Sequence, residues 1–146
     1  MNLARNLELS AQFFPNKPAI REGALELTYA QLNEKVNRVA TGLIKLGVKP
    51  GELVGICAPN SADWITFYFG VIKTGAVAVT IANASSPDEL TNLLNHAKPR
   101  ILFTTPDRLP ALQNLKAPGV LETLICQSGC DLTIDTVMKT GSPGLA

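Results

Sequence analysis

Two glycines five positions apart, Gly70 and Gly75, stand in the stretch "YFGVIKTGAVAVT". Their spacing is the first half of a phosphate-cradling loop, G-x-x-x-x-G-K-[ST]. There the lysine reaches the phosphates and the hydroxyl holds magnesium. The two residues that follow here are Ala76 and Val77, which can do neither. The local order is also reversed. A phosphate loop leaves a strand and opens a helix, so that free N–H groups face the anion. In this chain the helical run "DWITFYFGVIK" precedes Gly75 and the strand-like run "AVAVTI" follows it. Gly75 is therefore expected to end a helix in the left-handed conformation.

The other reactive side chains are scattered. His96 is the only histidine; it falls in a helical pattern with no Asp or Ser spaced for a triad, and is expected on a solvated surface. Cys57 closes an apolar strand, a position where nucleophiles occur. No neighbouring His or Lys lowers its pKa, so it reads as a core thiol. Cys126 and Cys130 form "CQSGC". With an odd total of cysteines and no second pair, they are expected as reduced thiols, neither a disulfide nor a zinc site. Asp63 has no evident carboxylate partner to split pKa values with. Trp64 shares helical spacing with Phe67, Tyr68 and Val71, which points to core. There is no G-x-G-x-x-G turn and no G-x-S-x-G elbow. From residue chemistry alone, no catalytic, cofactor-binding or metal-binding residue is assigned, and the chain is an α/β domain without its own active site.

Bulk properties agree with that modest reading. At 146 residues the chain has the length of one domain, taken as residues 1–146. Hydrophobic residues make up 46% and charged residues 17%, the balance of a folded domain. The formal net charge is +1 with no Lys/Arg cluster, which argues against nucleic acid as a partner. No apolar run approaches the roughly 18 residues of a membrane span. "MNLARNLELSAQ" lacks the basic-then-apolar order of a signal peptide, so a cytoplasmic location is expected.

The elements that must position any chemistry follow from periodicity and caps. The first dozen residues suggest a helix with Leu3, Leu7 and Phe14 near one face. "AIREGALEL" suggests a short hairpin about Glu22-Gly23. Thr28 and Gln31 form a capping box for a helix carrying Leu32, Val36, Val39, Ala40, Leu43 and Leu46; Gly47 ends it. Strands are expected at 53–58, 76–81, 100–105 and 120–126. A helix over 61–74, capped by Asn60 or Ser61, is apolar nearly all round and so buried on more than one side. Ser86-Pro87-Asp88-Glu89 opens another helix, with Leu90, Leu93, Leu94 and Ala97 inward. A weak helix around 106–114 and a final short one in "IDTVMKT" complete the pattern. Strands joined by helical crossovers pair in parallel between helix layers, giving a three-layer α/β sandwich with a mainly parallel sheet. Ligands of such sheets bind beyond the carboxyl ends of the strands. Here those ends are Cys57–Asn60, Ile81–Ser86, Thr104–Asp107 and Cys126–Ser128.

Three blocks together resemble the opening of the adenylate-forming enzymes: acyl-CoA synthetases, firefly luciferase and the adenylation domains of nonribosomal peptide synthetases. "LTYAQLN" (Leu27–Asn33) is similar to the first core motif of that family. "VIKTGAVAV" (Val71–Val79) is similar to the second, and "GVKPGELVGICAPNS" to the stretch between them. The likeness covers roughly residues 2–105, and among branches is most like a fatty-acyl-CoA synthetase. It departs after "AVAV", where Thr80-Ile81-Ala82-Asn83 replaces the usual Pro and polar turn, so the loop after the second strand is expected to differ.

The resemblance implies the N-terminal subdomain of that fold, within a parent that turns an acid and ATP into an acyl-adenylate and then a CoA thioester. ATP, Mg2+ and CoA are thereby implied for the parent and none of them for this stretch. Its Ser/Thr/Gly-rich phosphate loop, adenine and ribose motifs and mobile lysine lie downstream. The chain by itself is therefore expected to be inactive. The remainder of the parent is its expected partner, and self-association is expected through surface left uncovered. The rival readings are a stand-alone α/β binding or regulatory module, and a small redox or nucleotide-binding protein.

Overall fold

A computed structural model describes residues 2–115 and 121–144. Helix α1 (Ala4–Phe13) leads into a hairpin of β1 (Pro18–Glu22) and β2 (Leu25–Thr28), which pair antiparallel. Gly23 at the turn has φ +57, a value that favours glycine. The inner face of α1 is shorter than its periodicity suggested. Ala4 and Leu7 are buried, whereas Leu3 and Phe14 are 45% and 59% exposed. Both sit at the flanking cap positions, outside the helical repeat, so their spacing no longer maps them to one face.

Helix α2 (Tyr29–Lys45) starts as its sequence dictates. The Thr28 hydroxyl accepts from Gln31 N, and the Gln31 side chain accepts in return from Thr28 N. Then come β3 (Leu53–Ile56), α3 (Ala62–Lys73), β4 (Val77–Thr80), α4 (Pro87–Ala97) and β5 (Ile101–Thr104). Ser61 caps α3, and Ser86 with Glu89 makes the second capping box at α4. A 3-10 turn (Pro106–Arg108), α5 (Leu109–Gln113), β6 (Thr123–Cys126) and α6 (Ile134–Thr140) follow. The fourth strand is shorter than the expected 120–126: Leu121 is buried ahead of it, and residue 120 lies outside the described residues.

Strands β3 to β6 form one parallel sheet in the order β4-β3-β5-β6. Alternation of side chains sends Val54, Ile56, Ile101, Phe103 and Ile125 to one face. There they meet Val39 and Leu43 of α2, Phe67 and Val71 of α3, and Ile134 and Val137 of α6. Leu102 and Leu124 point to the other face, onto Leu90 and Leu94 of α4 and Leu112 of α5. The three-layer sandwich follows from that division. No residue of α3 is exposed; it touches the sheet on one side and packs Ile65 and Phe69 with Leu7, Leu32 and Val36 on another. Val77 is 48% exposed because β4 forms an edge of the sheet. Among the described residues, no helix is long and apolar enough to cross a membrane.

Candidate functional site at the carboxyl ends of the strands

From β3 the chain passes through α3 to β4 on one side, then through α4 back across β3 to β5, and on to β6. The direction of winding therefore reverses between β3 and β5. A crevice opens at such a switch point, beyond the carboxyl ends of the strands. Its walls here are the loops after β3, β4 and β5.

The crevice between β3 and β5 is occupied by the chain itself. Arg108 Nη1 donates to Cys57 O at 3.3 Å, to Asn83 Oδ1 at 3.0 Å and to Thr105 Oγ1 at 3.1 Å. Its Nη2 donates to Asn83 O. The buried Thr104 hydroxyl donates to the same Cys57 carbonyl at 2.9 Å. One guanidinium thus ties together three loops from three strands, using the fork of donors that only arginine presents. It also fixes the departing segment Ile81–Ser86, whose path the sequence left open.

Beside this knot, the ends of β3 and β4 enclose a cavity of about 510 Å³ lined by Asn60, Trp64, Thr80 and Asn83, among others. Trp64 is half-buried; it stacks on Tyr68 at 5.3 Å and turns its remaining surface to this cavity. It serves the core, as its spacing suggested, but only in part. Phe67 is fully buried and stacks on Phe103 at 4.6 Å.

Cys57 is fully buried at the end of β3, with Sγ 3.7 Å from Ala82 O. Burial pushes its thiol up, partly opposed by the Arg108 charge, so it is a core thiol as expected. Asp107 is exposed, and a hydrogen bond with Thr105 holds its carboxyl below the usual range. His96 lies on the exposed side of α4, in its last turn. Gly75 has φ +82, and a Cβ there would meet Pro50; it ends α3, as its sequence context suggested. Gly70 lies inside α3, where a Cβ would collide with Val39 of α2. Both glycines of the near-miss motif are thus packing and turn residues.

Two expectations are corrected. Asp63 does have carboxylate neighbours. Burial, then the charge of Asp135, raises its pKa, Lys35 opposes, and Glu22 adds to the rise. Glu22 reaches Asp63's helix by accepting a hydrogen bond from Ala62 N. These groups lie far from Asp63 in sequence, the hairpin and α6 bringing them in, and no local spacing could signal that. Cys126 and Cys130 are joined as a disulfide rather than left as thiols, their Cα atoms 6.5 Å apart, within the range a disulfide spans. Gly129, with φ +74, turns the intervening loop back on itself. Arg108 is the residue that sequence reasoning missed. Its only local signal was its place just after a strand's carboxyl end.

Residues 7–140 match the family model described as AMP-binding enzyme. A linear gramicidin synthase polypeptide of Brevibacillus parabrevis is 39% identical over 100 residues, 66% of this chain and 1% of that protein. Acyl-CoA ligase sidI of Aspergillus fumigatus is 38% identical over 79 residues, 54% of this chain and 13% of the ligase. Among solved structures, the anthranilate CoA ligase AuaEII in complex with anthranoyl-AMP superposes with a TM-score of 0.90 at 28% identity. That match covers 99% of this chain and 29% of the ligase. The chain therefore spans a small part of the length of the relatives it matches, and its parallel sheet is the N-terminal subdomain of adenylate-forming enzymes. With the family model spanning nearly all of its length, the chain belongs to the AMP-binding enzyme family.

Proposed function

We propose that this chain is the N-terminal scaffold of an AMP-forming acid–CoA ligase. The whole protein would convert ATP and a carboxylic acid to an acyl-adenylate, and then to an acyl-CoA. The observation that carries this reading is the likeness of 99% of the chain to a CoA ligase caught with its acyl-adenylate, at a TM-score of 0.90. The 38% identity to the acyl-CoA ligase sidI supports it. A fatty acid is the substrate class favoured by the resemblance to fatty-acyl-CoA synthetases.

ATP, magnesium and CoA are implied for the whole protein. We assign none of them to a residue of this stretch. Among the described residues, no three His, Cys, Asp or Glu side chains converge as metal ligands. The guanidinium at the switch point is already committed to Cys57, Thr105 and Asn83. The contribution of this chain is mechanical: it supplies a packed sheet and a fixed set of loops at one end of it.

Adenylation needs the α-phosphate held in line with the carboxylate and its charge offset. We therefore expect the 146-residue chain to be inactive by itself. The test is acid-dependent exchange of pyrophosphate into ATP, run on this chain and on the whole polypeptide with a panel of fatty acids. Exchange by the whole polypeptide and none by the chain is the expected result. Exchange above background by the chain alone overturns the scaffold reading.

The gramicidin synthase match favours a second reading, an adenylation unit of a peptide synthetase. The two readings share acyl-adenylate formation and part at the next step. Release of AMP that depends on free CoA supports the ligase, and its absence in an exchange-competent protein supports the synthetase.

A further inference from the structure

We propose that the Cys126–Cys130 disulfide is a reversible redox clasp, opened by a dithiol, that ties the loop after β6 to the N-termini of α3 and α6. The proposed ligase reaction makes no use of these cysteines. The inference rests on where the two sulfurs sit and on what the loop between them holds.

The two ends of the bond differ in access. Cys126 is the last residue of β6 and is fully buried. Cys130 is half-buried and lines an open cavity of about 320 Å³ on the outer side of β6, with Leu109, Gln113 and Asp131. A thiolate from solvent can therefore reach the Cys130 sulfur and not that of Cys126. Exchange proceeds by attack on one sulfur with departure of the other. The incoming thiolate bonds to Cys130 Sγ, the Sγ–Sγ bond breaks, and the electron pair leaves on Cys126, which takes up a proton. The second thiol of the same dithiol then attacks its own bound sulfur and releases Cys130, which is protonated in turn. The protein gains two electrons and two protons, and the dithiol becomes a cyclic disulfide. Closure is the reverse, with an oxidised dithiol as acceptor.

The loop that the bond closes is a junction. Gln127 Nε2 donates to Ser61 Oγ at 3.2 Å, the hydroxyl that caps α3. Cys126 N donates to Leu132 O at 3.1 Å, and Cys126 forms a parallel bridge with Thr133. Thr133 is the N-cap of α6. The disulfide thus shortens the path from the end of the sheet to the start of α6, and removes conformations open to the loop whose Gln127 holds the start of α3. Opening it leaves single hydrogen bonds to hold the junction, each of modest net strength. Cys57, fully buried, is an internal control, because a folded chain shields it from any thiol reagent.

The test is a redox titration of the full chain across ratios of reduced to oxidised dithiothreitol, with acid quenching, alkylation of free thiols and peptide mass spectrometry. Hydrogen exchange is read on the same samples. The expected result is one two-electron transition in which Cys126 and Cys130 become alkylated together while Cys57 stays protected. Amide exchange across Gln127–Thr133 should accelerate about tenfold or more in the reduced form, with β5 unchanged. A Cys130→Ser chain should show the fast exchange at every ratio. Three outcomes overturn the proposal: both sulfurs free in oxidising buffer, a bond that resists reduction for as long as the chain is folded, or reduction that leaves exchange unaltered. The titration of the unaltered chain suffices should the variant not fold.

Discussion

The two faces of the sheet are covered by the same kinds of side chain in different ways. On one face α2 touches both α3 and α6 as well as the strands, through positions where only glycine fits. A Cβ on Gly42 would collide with the Val137 carbonyl and stand 2.7 Å from its Cγ1. One on Gly70 would stand 2.8 Å from Val39 Cβ. On the other face α4 packs on the sheet with Leu90 and Leu94 while Leu93 remains 44% exposed. A cavity of about 270 Å³ separates α4 from α5. The first face is a three-helix core that fixes backbone against backbone. The second is a single helix and a short one, with space beside them to absorb change.

The largest effect expected is on the first face. Phe67→Ala removes a fully buried ring stacked on Phe103 and should cost about 3–5 kcal/mol. Leu90→Ala, almost as buried but lining the cavity between α4 and α5, should cost about 2–3 kcal/mol, the low end for such a change, because its neighbours can settle. Urea unfolding of both variants measures the gap. Equal losses would show that the two faces are packed alike.

Gly42→Ala comes next. Alanine is the better helix former by about 1 kcal/mol, so an isolated helix would gain. Here the added carbon meets the backbone carbonyl of Val137, which cannot rotate away. We expect a net loss of about 1–3 kcal/mol and faster hydrogen exchange confined to α6. A stabilised variant would mean that α6 shifts freely on α2.

What could be read in advance was local. The caps at Thr28–Gln31 and Ser86–Glu89, the left-handed Gly47 and Gly75 and the apolar parallel strands each depend on residues within a few positions. Those distances are short enough for sequence order to fix them. The burial of α3 on more than one side was legible too, since a helix with almost no polar face packs on several neighbours. What escaped depends on pairs far apart in the chain. Arg108 reaches Asn83 and Cys57, 25 and 51 positions away. Glu22 reaches Ala62, 40 positions away. Asp63 therefore looked isolated when it is not. The disulfide is the exception: its cysteines are four apart, but whether they meet depends on the backbone at Gly129. For the crevice at the switch point, sequence order placed the bordering loops and missed the side chain that joins them.

Arg108→Met sharpens the same contrast at the carboxyl end of the sheet. The change keeps the apolar stem and deletes four hydrogen bonds, to Cys57 O, Asn83 Oδ1, Asn83 O and Thr105 Oγ1. Because Arg108 is only half-buried, water replaces part of what is lost, and a cost of about 1–2 kcal/mol is expected. The more telling readout is alkylation of Cys57, which lies under this knot and should become reactive. Protection of Cys57 in the folded variant would show that Ile81–Ser86 holds its place without the guanidinium.

The smallest effect is a slope rather than a loss. Lys73, at the end of α3, has a side chain only 2% exposed and lies 3.2 Å from the Glu8 carboxylate. It donates to Asn33 Oδ1 and Asn37 Oδ1, each at 2.6 Å. Burial lowers its pKa from the ordinary 10.5, and Glu8 only partly offsets this. A lysine whose folded pKa is depressed binds its proton less readily in the native state than in the unfolded one. The unfolded state therefore holds more protons between the lowered value and 10.5. Stability rises with pH wherever the unfolded state binds more protons. Relative to a Lys73→Met chain, the unaltered protein should gain stability as pH climbs through that window, and Glu8→Gln should widen the window downward by removing the opposing charge. Urea midpoints at stepped alkaline pH, compared between chains, isolate this one group from the other lysines. A relative fall in stability over the same range would mean that the three acceptors outweigh desolvation. The ammonium would then be a net support of the contact between α1, α2 and α3.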